Sequence, residues 1–328
     1  MTPGWVRDPL WTLAQSVPSL DLRFAANRSL RDHVSGAELI TFTRASSATV
    51  IGPTGAIETV SNDVPRFQHD PVTGRCLGLL VEEQRVNLLL NSATLSTQSV
   101  TSAATAYTLS FYGTGTVTLS GTSTAGPLVG TGANARVSLT FTPTAGTLTL
   151  TVSGSVTSAN LEAGSFATSW IPSLGTSATR SADVATITGG NFSGWYNQAG
   201  GTLYVEALPT SLTGNGLVGI DDTTANERWR LGHSGGTAGA FVVVDGNVTQ
   251  VSITSAASSW PVGSSGKIAA GLILNDAAFS VNGQAVSTDS AVTLPTVTQM
   301  TIGTAQASAY ANGPIARIVC WPQRLPNH

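Results

Sequence analysis

Glu82-Glu83 and Asp221-Asp222 with Glu227 are the paired carboxylates of this sequence. Glycoside hydrolysis needs an acid and a base or nucleophile roughly 5 to 9 Å apart. Adjacent residues of an extended strand point to opposite faces, so neither adjacent pair is ready-made for that task. Glu82 and Glu83 read instead as salt-bridge partners of Arg85 or Arg75. The run Asp221 to Glu227 offers several hard oxygens to a cation but lacks the alternating spacing of a calcium loop, and it reads as a solvated turn between strands. The histidines at 33, 69, 233 and 328 and the two cysteines, Cys76 and Cys320, are too dispersed for a zinc site. No catalytic residue, metal or cofactor is assigned.

The grouping best suited to binding is Arg228-Trp229-Arg230, which follows the acidic turn. Sugars are held by stacking on aromatic rings and by fork-like hydrogen bonds from Arg, Asp and Asn. With Trp229 outward the segment is a sugar platform. With Trp229 inward the two arginines face solvent and suit an acidic polysaccharide. Trp229 alternates in phase with apolar Leu231, which favours the second arrangement. The candidate glycan-binding residues are therefore Arg228, Trp229, Arg230, Asp221 and Asp222, with Tyr310 and Asn312 in the loop before the last strand. Trp195-Tyr196, Trp260 and Trp321 read as core or seam residues.

What must position these groups is β-structure. YTLSFYG, TVTLSG, ARVSLTFTP and GTLTLTVSG, between residues 107 and 154, alternate apolar residues with Thr or Ser at period 2, as half-buried antiparallel strands do. The period returns after Thr186 in GTLYVEAL, RWRLGH, AFVVVDG, KIAAGLIL and PIARIVCW. Asn215-Gly216, Asp245-Gly246, Asn282-Gly283 and Asn312-Gly313 read as tight turns. The expected fold class is all-β, with tandem β-sandwiches after an irregular amino-terminal region. Charge supplies the boundaries. Residues 1–92 carry eight Arg and nine Asp or Glu of the chain's 15 Lys+Arg and 18 Asp+Glu, whereas only Arg136 is charged from Ala93 to Ser158. The division is 1–92, a small sandwich at 93–172, and a larger one at 180–328, with Ser173 to Thr179 as linker.

At 328 residues the chain exceeds the roughly 250 at which single cores stop growing. Only 10% of residues are charged, against about 25% in ordinary domains. The net charge of −3 gives no basic footprint for nucleic acid. No window reaches the roughly 18 apolar residues of a membrane span, and no leader is evident, which points to synthesis in the cytoplasm without membrane insertion. A disulfide between Cys76 and Cys320 is not expected there. Strand edges with few charges are unprotected against pairing, so burial between copies of the chain is expected. Trp5 and Trp11, in a proline-rich opening segment, suit docking on another protein, or an arm folded back on its own domain.

Thr43-Arg44-Ala45-Ser46-Ser47-Ala48-Thr49, Pro65-Arg66-Phe67, His69-Asp70-Pro71-Val72-Thr73-Gly74 and Gly78-Leu79-Leu80-Val81-Glu82-Glu83-Gln84-Arg85 occur in that order. This wording resembles the amino-terminal module of fibre and spike proteins of tailed bacteriophages, prophages and gene transfer agents. The text Asn160 to Pro172, followed by Thr179-Arg180-Ser181-Ala182-Asp183, is similar to segments that close a carbohydrate-binding-module-like sandwich in such proteins. The carboxy-terminal strand order looks like a concanavalin A-like, lectin-like jelly roll. The resemblance implies a homotrimeric subunit on the virion surface, made in a bacterial cytoplasm. Its amino-terminal region would bind other virion proteins, and its sandwiches would bind host surface polysaccharide. A collar or capsid-decoration subunit that binds only virion proteins and a virion-associated glycan depolymerase are the alternatives.

Overall fold

Period-2 alternation becomes strand almost everywhere it occurs. The structure, a computed structural model, describes residues 8–210, 215–234, 237–305 and 309–327. Trp5 lies outside them. The chain folds into two compact units, one built from residues 1–41, 184–209 and 213–328, the other from 42–183 and 210–212. These boundaries differ from those expected from the charge distribution, because residues 20–22 pair with the last strand. Among the described residues no helix is long and apolar enough to cross a membrane.

In the first unit, six strands form one antiparallel sheet in the order Ser287–Asp289, Asp276–Val281, Gly266–Ile273, Gly200–Ala207, Gly313–Trp321 and Leu20–Leu22. The second sheet runs Val184–Thr188, Gln299–Ile302, Asn215–Asp221, Arg228–Ser234, Ala238–Asp245 and Val248–Thr254. Inward side chains of both, including Leu203, Val205, Ile268, Phe279, Trp229, Leu231 and Phe241, are buried. Each contributes about 1.5–3 kcal/mol of burial. Phe241 stacks on Phe279 with ring centroids 6.0 Å apart. Close approach requires Gly239, where a Cβ would stand 2.6 Å from Val281 Cγ2.

Two of the proposed turn dipeptides sit at hairpin turns. Asn282-Gly283 has both φ angles positive, and Gln284 N–H closes the turn on Val281 O at 2.9 Å. The turn after Asp245 is centred one residue later, on Gly246-Asn247, whose φ angles are +56° and +62°. Positive φ at both central residues is the type I′ geometry that suits strand twist. Asn215-Gly216 is not a turn. It opens the strand Asn215–Asp221, because Gly216 pairs with Gly232.

The amino-terminal segment of this unit is tied down from Asp8 onward. Leu20, Asp21 and Leu22 pair with Cys320, Val319 and Ile318. Asp21, fully buried, accepts from Arg317 Nη2 at 2.7 Å, Arg23 Nε at 2.8 Å and Trp11 Nε1 at 3.1 Å. Arg23 lies over the Trp11 ring at 5.4 Å. Trp11 is thus engaged with its own unit.

In the second unit, a four-stranded sheet (Leu128–Val129, Thr116–Gly121, Gly146–Ser153, Gln98–Ser102) and a three-stranded one (Gly132–Phe141, Tyr107–Gly113, Val156–Ala163) form the small sandwich. Leu109, Phe111, Val117, Leu148, Leu150 and Leu161 are among its core residues. Before it come the hairpins Ala48–Ile51/Ile57–Val60 and Arg66–His69/Cys76–Val81. The segment read as a linker is not one. Ser173 N–H reaches Ser92 Oγ at 2.9 Å, Gly175 N–H reaches Asn91 Oδ1 at 3.0 Å, and Ala178–Arg180 pairs with Arg85–Asn87.

Candidate functional site

Strand Arg228–Ser234 lies inside the second sheet of the first unit, and its alternation decides which side chains face out. Trp229 pairs with Ile220 and Val243 on the core side and is 1% exposed. Its Nε1–H donates to Tyr196 Oη at 3.0 Å, and its ring meets Phe241 edge-on at 6.2 Å. Trp229 is therefore a core residue and cannot serve as a platform. Arg228 and Arg230 take the other face and are half-buried. Arg230 stands between Gly219 and Val242, and Arg228 between Asp221 and Val244. On one strand face the two guanidinium groups spring from positions about 6.5–7 Å apart.

The same face carries Gly219, Thr301 and Gln299, since Gly219 pairs with Thr301 and Asp221 with Gln299. Asp221 is 2% exposed, and its Oδ1 accepts from Gln299 Nε2 at 2.6 Å and Thr223 N at 2.9 Å. Burial holds the Arg228 guanidinium below its ordinary range, and the Asp221 charge opposes that shift. Arg230 is also lowered, first by burial and then by the neighbouring Arg228 charge. Its Nε is buried without a hydrogen-bond acceptor among the described residues. A guanidinium lowered by a neighbouring cation, as Arg230 is by Arg228, gains from an anion placed beside it.

The other sequence candidates divide. Asp222 is half-exposed and spends its Oδ1 on Thr224 N at 2.8 Å and Thr224 Oγ1 at 2.6 Å, which makes it a turn residue. Glu227 accepts from Gly246 N at 2.7 Å and Thr296 N at 3.0 Å, tying loops together. Among the described residues no group of three or more His, Cys, Asp or Glu is placed to hold a metal ion. Tyr310 is half-exposed on the hairpin Thr304–Ala305/Ala309–Tyr310, which packs against strand Asn215–Asp221. Asn312 is 3% exposed, holds φ at +48° and donates to Tyr310 O at 3.3 Å, so it shapes the loop.

Gly232-His233-Ser234-Gly235-Gly236 has the Gly-x-Ser-x-Gly spelling of a nucleophile elbow. Ser234 ends a strand and pairs with Ala238 of the next, whereas an elbow is a strand-to-helix turn. His233 is buried, with Nε2 2.6 Å from Trp260 O. Neither cysteine is in a disulfide, and burial pushes the Cys320 thiol up to about 12.

The acidic pair Glu82-Glu83 serves structure. Glu83 bonds Arg85 at 2.6 Å, as the sequence suggested. Glu82 takes neither Arg85 nor Arg75. Its partners are Arg66 Nη1 at 2.9 Å and Arg180 Nη1 at 3.0 Å, joined by Ser169 N at 2.7 Å and Ser169 Oγ at 2.6 Å. Asp183 receives Arg66 on one oxygen and Arg44 on the other, the latter at 3.1 Å. Glu162 closes the cluster through Thr168, which Arg180 also contacts at 3.0 Å. Burial raises the Glu82 carboxyl, but the Arg180 and Arg66 charges and the Ser169 bonds outweigh it, holding it at about 2. Trp170 caps this region, with Nε1 on Ser92 Oγ at 3.1 Å.

No protein-family model matches the chain, and no curated protein matches it. Parts of it resemble solved β-structures. The Ruminococcus gnavus IT-sialidase CBM40, bound to α2,3-sialyllactose, is 13% identical over 40% of this chain and 80% of that one, with a TM-score of 0.35. Trypanosoma rangeli sialidase in complex with the inhibitor DANA is 14% identical over 44% of this chain and 24% of that one, at 0.34. The binding domain of botulinum neurotoxin serotype D/C is 11% identical over 44% and 38%, at 0.34. At these identities and scores the likeness does not bear on function.

Proposed function

We propose that the protein is a virion fibre or spike subunit that adheres to an acidic polysaccharide on the host surface through its lectin-like sandwich. The observation that carries the adhesion is the outward pair Arg228 and Arg230 on the face opposite Trp229. Arg230 has no acidic ion-pair partner among the described residues. Guanidinium forks match carboxylate and sulfate groups of a glycan. Adhesion would be multivalent, since several weak sites on a spike and many spikes on a particle multiply avidity. It asks for no catalysis.

The virion role rests on the sequence resemblance, and one feature of the second unit supports it. Arg44, Arg66, Glu82, Arg180 and Asp183 belong to four separate stretches of resembling text, and they meet in one buried cluster. Text that spells a cluster is text a fold must keep. The particle would be assembled from protein made in the bacterial cytoplasm.

Size-exclusion chromatography with extracted acidic capsular polysaccharide tests adhesion. Wild-type protein should co-elute with the sugar, and Arg228→Ala/Arg230→Ala should elute alone with unchanged stability. Co-elution of that variant would refute the site, and shortened sugar would indicate a depolymerase. A structural subunit is the second reading, favoured by the edge strand Gly132–Phe141. Its one charged residue, Arg136, bonds Thr168 O at 2.5 Å and Ser110 Oγ at 2.8 Å, so it does not guard the edge. Such an edge suits pairing between copies in a homotrimer.

A further inference from the structure

The second unit contains a cleft of about 660 Å³ that the Arg228 and Arg230 face does not involve. That volume lies within the roughly 300–1,000 Å³ of small-ligand sites. Arg85, Glu83, Thr105, Tyr107, Gly164 and Ser165 are among the residues that line it. Arg85 is 8% exposed, and its Nε is buried without an acceptor among the described residues. Its guanidinium lies 4.6 Å from the centroid of the Phe166 ring and bonds Glu83 Oε1 through Nη2 at 2.6 Å. Gly164 makes room for it, because a Cβ there would overlap the guanidinium, and its φ of +125° also excludes ordinary side chains. Gly164 is itself held by its N–H on Ala106 O at 2.8 Å and by Thr108 Oγ1 on its carbonyl at 2.9 Å.

We propose that this cleft binds a neutral saccharide. A buried arginine held on three sides is a preorganised donor, and preorganisation lowers the cost of binding. Beside it stands a carboxylate acceptor. Donor next to acceptor matches vicinal hydroxyls, of which one accepts from Arg85 and the other donates to Glu83. Thr105 and Ser165 add hydroxyls, and Val86, Leu88 and Ala106 add the apolar wall that a sugar's CH face requires. An anion gains little here, since Glu83 already compensates Arg85. The ligand class therefore differs from that of the arginine face.

Saturation-transfer NMR on the full chain, with lactose, maltose and cellobiose at millimolar concentration, tests the proposal. At least one should receive saturation. Thr105→Trp, placed at an exposed position to fill the cleft, should reduce the signal at least tenfold, and Arg85→Lys should do so while keeping the charge. Arg228→Ala/Arg230→Ala should leave it unchanged, so that this site and the arginine face fail separately. Absence of transfer to all three sugars, full transfer in a folded Thr105→Trp variant, or loss in the arginine variant would each overturn it. Should Arg85→Lys not fold, the Thr105→Trp result decides.

Discussion

Replacing Glu82 by Gln removes the negative charge that Arg66 and Arg180 share while keeping the side chain's size. The wild-type carboxyl is held at about 2 against an ordinary value of 4.5. That difference corresponds to about 3 kcal/mol of stability at neutral pH. A folded-state value below the unfolded one stabilises above the unfolded value, and the stabilisation fades as pH falls from about 4.5 toward 2. By pH 3 it should have shrunk to about 1 kcal/mol. Leaving two buried guanidinium groups short of a partner adds to the loss, since breaking buried ion pairs costs about 3–5 kcal/mol. Urea unfolding of both proteins at pH 7 and pH 3, with hydrogen exchange on peptides covering Cys76–Val81 to localise the effect, measures it. Glu82→Gln should lose at least about 3 kcal/mol at pH 7, and the gap should narrow at pH 3. A loss under about 1 kcal/mol at pH 7, or a gap indifferent to pH, would show that the cluster does not bind its charges as the geometry indicates.

Trp229→Ala should cost about 3–5 kcal/mol in thermal or urea unfolding, as expected of a buried tryptophan. Loss of polysaccharide binding with stability intact would instead return Trp229 to the role of a sugar platform. Light scattering at micromolar concentration should give a trimer mass for the wild type. Ser138→Lys, which puts a charge at an exposed position of the Gly132–Phe141 edge, should shift that mass toward monomer, and a wild-type monomer would refute self-pairing.

Strands were legible because period 2 is a local property. Tyr107–Gly113, Arg228–Ser234 and Gly313–Trp321 can be read from a few residues each, and so can the orientation of Trp229, in phase with Leu231. Partners were not legible. Leu20–Leu22 pairs with Ile318–Cys320, and nothing local in LDL announces a sheet mate at the far end of the chain. Gln299 and Thr301 join the arginine face through a strand, Gln299–Ile302, whose sheet neighbours nothing local announces. Asn215-Gly216 carries turn chemistry yet sits in a strand, because pairing with Gly232 outweighs local preference.

Glu82 and Glu83 show where proximity in sequence misleads. Neighbouring side chains leave an extended segment on opposite sides, so at most one could meet Arg85, two residues on. Glu83 does, and Glu82 turns inward to arginines 16 residues before it and 98 after it, Arg66 and Arg180. The inward group then needs a closed balance, and Arg44, Arg66 and Arg180 face Glu82, Glu162 and Asp183, three charges of each sign. Charges spent in this way are withdrawn from solvent. Part of the dense charge of the first ninety residues is therefore interior, Arg44, Arg66 and Glu82 among it, and the proposed adhesion falls to two arginines on a Thr- and Gly-lined sheet.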